Sequence, residues 1–291
     1  MTNECDARVQ VLLEALPYVH QFHQKIVLVK FGGHAMVDEA AKMAFAQDIV
    51  LMQAVGILPV VVHGGGPFIG KILERMGIQS RFEQGLRVTD KETLEVVEMV
   101  LDGQVNGDVV KRINQMGGRA LGLSGKDGQL IQAKPLVLSN SKAEPIDLGY
   151  VGQVQGIQKD LVLDVIQAGY VPVISSVGVG ADGQVYNINA DTVASQLAQA
   201  LGAVKVVLLT DVKGVYRDPA DPQTLISTLT VDEFVQLKEE GILTGGMLPK
   251  IEAALAAIQA GVDRVHLISG SEPHALLEEL FFDAGIGTMI E

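Results

Sequence analysis

The sequence contains no tryptophan, and aromatic residues make up only 4% of its 291 positions. Its core must therefore be built from aliphatic side chains. A single cysteine, Cys5, excludes a disulfide within the chain and suits a reducing compartment. We expect Cys5 to sit in a mobile N-terminal tail and the protein to be cytoplasmic. No apolar run reaches the roughly 18 residues that suggest a membrane span. The first residues, MTNECDARVQ, lack the basic and apolar blocks of a secretory leader. Positive charge is scarce: 22 Lys and Arg against 35 Asp and Glu leave a net charge of −13. Such a surface repels nucleic acid and anionic membrane, so neither is an expected partner. An anionic substrate would need a local cluster of cations. Low-complexity segments and short repeats are also missing.

What is present is 48% hydrophobic composition with 32 glycines, enough for a sizeable core, in a length that suits one large α/β domain or two modest lobes. Solid apolar runs at 25–33 (KIVLVKFGG), 57–66 (ILPVVVHGGG), VPVISSVGVG, KVVLLTDVKG and RVHLISG read as buried strands. Helical patterns separate most of them. Residues 9–22 predict an amphipathic helix kinked or ended near Pro17, and 39–56 a helix closed by Gly56. Residues 90–118 predict one or two helices. RALGLSG, LIQAKPLVL and YVGQVQGI read as a hairpin-rich insert. Strands buried on both faces imply a three-layer αβα sandwich around an open, mostly parallel sheet, with an added N-terminal helix. Ligands in such sheets bind beyond the carboxyl ends of the strands.

Two glycine motifs nearly fit known nucleotide loops. GGPFIGKI (65–72) ends in Ile72 where a P-loop needs Ser or Thr, which leaves Lys71 as a solvated helix lysine. GVGADG (178–183) follows a strand, as in a dinucleotide fold, but no helix opens inside it; a glycine-rich turn is the plainer reading. His63 reads as a buried strand-end histidine.

Three strand ends remain: KFGG, HGGG and TDVKG. Bare amides at the helix start after HGGG suit an anion. Lys30 sits where a strand becomes a Gly-Gly turn, and Lys250 lies in the first turn of another helix, where it opposes the helix dipole. Lysine paired with Gly-Gly at both ends of the chain suits phosphoryl transfer, which rests on positioning and charge neutralisation.

KFGGHAM, VVHGGGP, GLRVTD, VGVGADGQVYNINADTVA, LLTDVKGV, GGMLPKIEAA and PHALLEELF with GIGTMI occur in this order. Together they closely resemble the N-acetylglutamate kinases of the amino acid kinase family. The resemblance implies phosphorylation of the γ-carboxylate of N-acetyl-L-glutamate by ATP with Mg2+, the second step of arginine biosynthesis. It makes Lys30 and Lys250 the transition-state stabilisers and Asp191 the group that holds them, although Asp191 could also cap the helix it opens. Gly65, Gly66, Arg87 and Asn187 would bind the acyl substrate, and Gly32 and Gly33 the phosphate. Asp211, Val212, Lys213, Gly214, Val215 and Tyr216, with Thr244, Gly245, Gly246 and Met247, would bind ATP. Magnesium would ride on the nucleotide phosphates, with no protein ligand named.

The EALPY element within LLEALPYVHQFHQK resembles the extra helix of the arginine-inhibited members. It implies a homo-hexamer joined through residues 1–24 and an arginine site at Lys205, His266, Glu279 and Gly285. Some members also bind a nitrogen-signalling protein. On this reading residues 25–180 form a lobe for the acyl substrate and 181–291 a lobe for ATP. The alternatives are a sister kinase acting on aspartate, carbamate or uridine monophosphate, an NAD-binding oxidoreductase using GVGADG, or a non-catalytic arginine sensor.

Overall fold

The structure is a computed structural model that describes residues 2–139, 144–218, 220–243, 247–282 and 285–291, with only the backbone of residues 2–8 and 34. Helix α1 (Thr2–Phe22) opens the chain. It begins at Thr2, so the segment around Cys5 is helical rather than a mobile tail. Pro17 lies inside it, neither ending the helix nor closing it early. Proline removes one backbone hydrogen bond, but Ala15, Tyr18, Val19 and Phe22 pack on the core around it, and such packing supplies most helix stability.

β1 (Ile26–Phe31), α2 (Glu39–Ala54), β2 (Leu58–His63) and α3 (Gly66–Arg75) follow. A short hairpin, β3 (Phe82–Glu83) and β4 (Leu86–Arg87), leads to one long helical rod. Its parts are α4 (Lys91–Glu98), a π-helical stretch at Met99–Val105 and α5 (Asn106–Gln115). Next come β5 (Ala120–Leu123), β6 (Ile131–Pro135), the small pair β7 (Leu138–Ser139) and β8 (Pro145–Ile146), and β9 (Gly152–Ile157). The chain continues through α6 (Lys159–Gln167), β10 (Val171–Ser175), β11 (Val177–Val179), β12 (Val185–Asn187), α7 (Ala190–Leu201) and β13 (Lys205–Thr210). β14 (Val215–Tyr216), β15 (Leu225–Ile226), β16 (Thr228–Leu229), α8 (Val231–Glu239), α9 (Met247–Gln259), β17 (Arg264–Ser269), α10 (Ala275–Phe281) and β18 (Thr288–Ile290) complete it.

The main sheet has eight strands in the order β16-β18-β17-β13-β1-β2-β10-β5. The run from β17 to β5 is parallel, while β18 pairs antiparallel with β17 and carries β16. Strands alternate their side chains between two faces, and both faces are covered. Leu28, Val60, Val62, Val206 and Leu208 meet α7 and α9 in one core. Val27, Val29, Phe31, Val61 and Val207 meet α2, α5 and α10 in the other. Lys30 shares the parity of Leu28, so the strand delivers it to the α7 and α9 face.

Two expectations change, and the plainer reading of GVGADG holds. β5 is the outer parallel strand of the main sheet, not part of the hairpin insert. VPVISSVGVG is two strands: the chain leaves the main sheet at Ser176, and β11 joins a four-stranded sheet with β12, β6 and β9. GVGADG is the turn between β11 and β12, closed by Gly180 N–H to Gln184 O and Gly183 N–H to Gly180 O. No helix N-terminus is there to receive a pyrophosphate, which removes the basis for the NAD reading.

Candidate active site

β1 lies at the centre of the site. β2, β10 and β5 extend the sheet on one side of it, and β13 and β17 on the other. A crevice forms at the carboxyl ends where such directions diverge. Its volume is about 240 Å³, and Lys30, Gly65, Gly66, Arg87, Asn187, Asp191 and Lys250 all line it.

Asp191 receives both lysines. Lys30 Nζ lies 3.0 Å from Oδ1 and Lys250 Nζ 2.9 Å from Oδ2. The lysines come from β1 and α9, in opposite halves of the sequence, yet they converge on one carboxylate. Lys30 and Asp191 are buried, whereas Lys250 remains partly open. Burial lowers the pKa of Lys30; Asp191 opposes that effect and the Lys250 charge adds to it. Burial also works against the charge of Asp191, but Lys30 and Lys250 hold its pKa down at about 2.

Asp191 does not cap α7. Asn189 does, accepting from the backbone N–H groups of Asp191 and Thr192 at 2.8 and 3.1 Å. With Asn189 in that role, the Asp191 carboxylate is left to the lysines.

The glycine turn after β2 opens α3. Gly65 is the N-cap residue, Pro67 stands in the first turn, and no side chain caps the helix. The first amides of α3 thus face the crevice without a competing protein anion. Arg87, on the β3–β4 hairpin, donates to Gly66 O at 3.2 Å and to Ser80 Oγ, with its guanidinium over the Phe82 ring. Asn187 Nδ2 donates to Thr89 Oγ1 at 3.1 Å. Thr89, buried and not singled out from the sequence, thereby orients Asn187.

Gly32 and Gly33 lie beside Lys30 and Asp211. Gly33 has φ +69°, and a methyl group on it would collide with the Asp211 carboxylate. The TDVKGV turn from Asp211 to Tyr216 is anchored by Val215 N–H donating to Thr288 Oγ1 at 2.8 Å, and Lys213 pairs with Glu272 at 2.6 Å. Met247 starts α9; Thr244, Gly245 and Gly246 lie outside the described residues. Among the described residues no group of three or more His, Cys, Asp or Glu could hold a metal ion. Asp191 is already taken by two ammonium groups. Lys71 is exposed on α3.

A second cavity, of about 280 Å³, lies between the end of α1 and the C-terminal strands, and Lys205, His266, Glu279 and Gly285 all line it. Glu279 Oε1 is 2.5 Å from His266 Nδ1 and 3.3 Å from Lys205 Nζ. Burial opposes the Glu279 charge, but His266 and Lys205 keep its pKa below the usual range.

This fold and site define a phosphotransferase class. The chain belongs to the amino acid kinase family, whose model matches residues 25–269. The acetylglutamate kinase of Heliobacterium modesticaldum is 54% identical over 284 residues, covering 96% of each chain. The solved N-acetylglutamate synthase of Neisseria gonorrhoeae, complexed with coenzyme A and N-acetyl-glutamate, aligns at TM-score 0.84 with 26% identity, covering 97% of this chain and 63% of that one. The same synthase complexed with coenzyme A and L-arginine aligns at TM-score 0.81 with 26% identity, covering 97% of this chain and 65% of that one. The chain thus spans just under two thirds of the synthase.

Proposed function

We infer that the protein transfers the γ-phosphoryl group of ATP to the γ-carboxylate of N-acetyl-L-glutamate, giving N-acetyl-L-glutamyl 5-phosphate and ADP in arginine biosynthesis. The observation that carries the reading is Asp191 holding Lys30 and Lys250 at 3.0 and 2.9 Å at one end of the crevice. A carboxylate oxygen forms the new bond to phosphorus as the bond to the bridging oxygen of ADP breaks. The nucleophile is already ionised, so no general base is required. The two ammonium groups neutralise charge on the oxygens of the moving group, and Asp191 keeps them from repelling each other apart. Magnesium, bound to the nucleotide, adds further neutralisation. The amides of Gly65 and Gly66, with Gly32 and Gly33, cradle the acceptor and the phosphate. Arg87 offers a planar fork to the α-carboxylate, and Asn187 binds the acetylamino portion. ATP lies on the 181–291 half against Asp211–Tyr216 and the start of α9.

L-arginine is the effector in this reading. The second cavity offers the Glu279 carboxylate to a guanidinium, and the similar Neisseria synthase is solved in complex with L-arginine. Helix α1 exposes Leu12, Leu13 and Leu16, an apolar stripe suited to joining copies into a hexamer. Among the described residues no helix is long and apolar enough to cross a membrane.

The test is ADP release with N-acetylglutamate, aspartate, carbamate and uridine monophosphate in turn. N-acetylglutamate should be preferred by about 10⁴-fold or more in kcat/KM, the scale set by an unfilled polar site. Equal or faster turnover of another acceptor overturns the reading. Light scattering, with and without arginine, tests the assembly.

A further inference from the structure

His63 is fully buried at the end of β2, on the face opposite Lys30, and the phosphoryl-transfer chemistry makes no use of it. Its surroundings determine its protonation atom by atom. Asn106, the first residue of α5, presents Nδ2 at 2.9 Å from Val173 O and 3.4 Å from Leu123 O. Carbonyls only accept, so the group facing them is the NH2 of the amide. The same NH2 lies 3.0 Å from His63 Nε2. That nitrogen must therefore be bare, and the ring proton resides on Nδ1. Nδ1 in turn lies 3.0 Å from Gly64 O, to which it donates. Burial drives the pKa of His63 down to about 4, outweighing the Gly64 bond and the Asp102 charge that favour the charged form, so the ring is neutral near pH 7.

Gly64 O and Gly65 N–H belong to one planar trans peptide and point to opposite sides of it. A donor holding the carbonyl away from the crevice turns the amide towards it. Gly64 N–H is tied as well, to Phe31 O at 3.3 Å. Both flanking residues are glycine, so without these tethers the peptide could rotate at little steric cost. The π-helical stretch Met99–Val105 supports the arrangement from below. It ends at Val105, one residue before Asn106, and its Leu101 would lie 2.6 Å from a Cβ on Gly65, so its side chain packs against that backbone.

We propose that His63, locked by Asn106 in its Nδ1–H form, is a positioning residue that aims the Gly65 amide at the reacting group. The proposal rests on the reading that the glycine turn receives the acceptor and phosphate. Its test combines spectroscopy of the whole protein with two variants. With 15N-labelled histidine, one imidazole should stay neutral across the neutral pH range, with the proton on Nδ1, and its signal should vanish in His63→Asn. An asparagine amide can reach the Nδ1 position and keep the bond to Gly64, whereas His63→Leu cannot. The Leu variant should lose about 10- to 100-fold in kcat, a fraction of what losing a fixed oxyanion donor costs, with KM for ATP little changed. The Asn variant should recover most of that loss.

An Nε2–H tautomer, a Leu variant with unaltered kcat, or an Asn variant that folds yet performs no better than Leu overturns the proposal. Should the Leu variant fail to fold, Asn106→Leu takes its place: with the donor on Nε2 removed, the ring should no longer hold a single fixed tautomer and kcat should fall; no change in either overturns the proposal. Absence of turnover by the wild type with N-acetylglutamate would sink the substrate reading and leave the tautomer result standing.

Discussion

Replacing Asp191 by Asn keeps the shape of the side chain and removes the charge that the buried Lys30 ammonium and the partly open Lys250 ammonium share. Opposite unit charges about 4 Å apart attract by about 4 kcal/mol at an effective dielectric of about 20, and the separations here are 3.0 and 2.9 Å. Losing that attraction would lower the pKa of Lys30 further, an effect that entry of water and side-chain relaxation would soften. The sign follows from Lys30 itself. Its pKa is already lowered by burial and by Lys250, and Asp191 is the chief opposing influence. The charged amine is the working form. Activity is therefore full below the Lys30 pKa and lost as pH rises through it, and the variant should lose activity at a lower pH than the wild type. Near neutral pH, kcat should fall by about 10²- to 10³-fold, or about 3–4 kcal/mol. Coupled ADP release at saturating substrates, measured across pH, reads both effects, and circular dichroism verifies folding. An unmoved alkaline limb with kcat within about threefold of wild type would refute the reasoning.

Arg87→Lys exchanges a planar fork for a point charge; KM for N-acetylglutamate should rise about 10- to 100-fold with a smaller change in kcat, as steady-state kinetics would show. Glu279→Gln removes the carboxylate that meets Lys205 and His266. Half-inhibition by arginine should then require at least about tenfold more effector, about 1.4 kcal/mol. Gly33→Ala puts a methyl group against Asp211 at φ +69°. Strain of about 1–3 kcal/mol at that turn should lower the melting temperature and sharply reduce turnover, whereas Gly77→Ala, also at positive φ but with open space around it, should affect stability alone.

Strands β1, β2, β10, β13 and β17 were legible because they are apolar runs buried on both faces, and the glycines and lysines that end some of them mark the crevice. Lys30 could be assigned to the α7 and α9 face by counting two residues from Leu28. Asn189 and Asp191 could not be told apart as caps, because both are good capping types two positions apart; only the carboxylate meeting two lysines separates them. The π-helical stretch was not legible, since MVLDGQV has no composition that distinguishes it from an ordinary helix. The contact of His63 with Asn106 spans 43 positions and depends on that stretch. The departure of β11 from the main sheet at Ser176 likewise follows from pairing with β6 and β12, which no local pattern announces. Thr89 was missed because a lone threonine in GLRVTD carries no signal until Asn187 is seen beside it.

An acyl phosphate reacts with hydroxylamine to give a hydroxamate, so trapping the product tests directly whether a carboxylate receives the phosphoryl group. Incubation with ATP, magnesium, N-acetylglutamate and hydroxylamine should yield the γ-hydroxamate of N-acetylglutamate in step with ADP. Release of ADP without hydroxamate, or no ADP above background, would contradict the account.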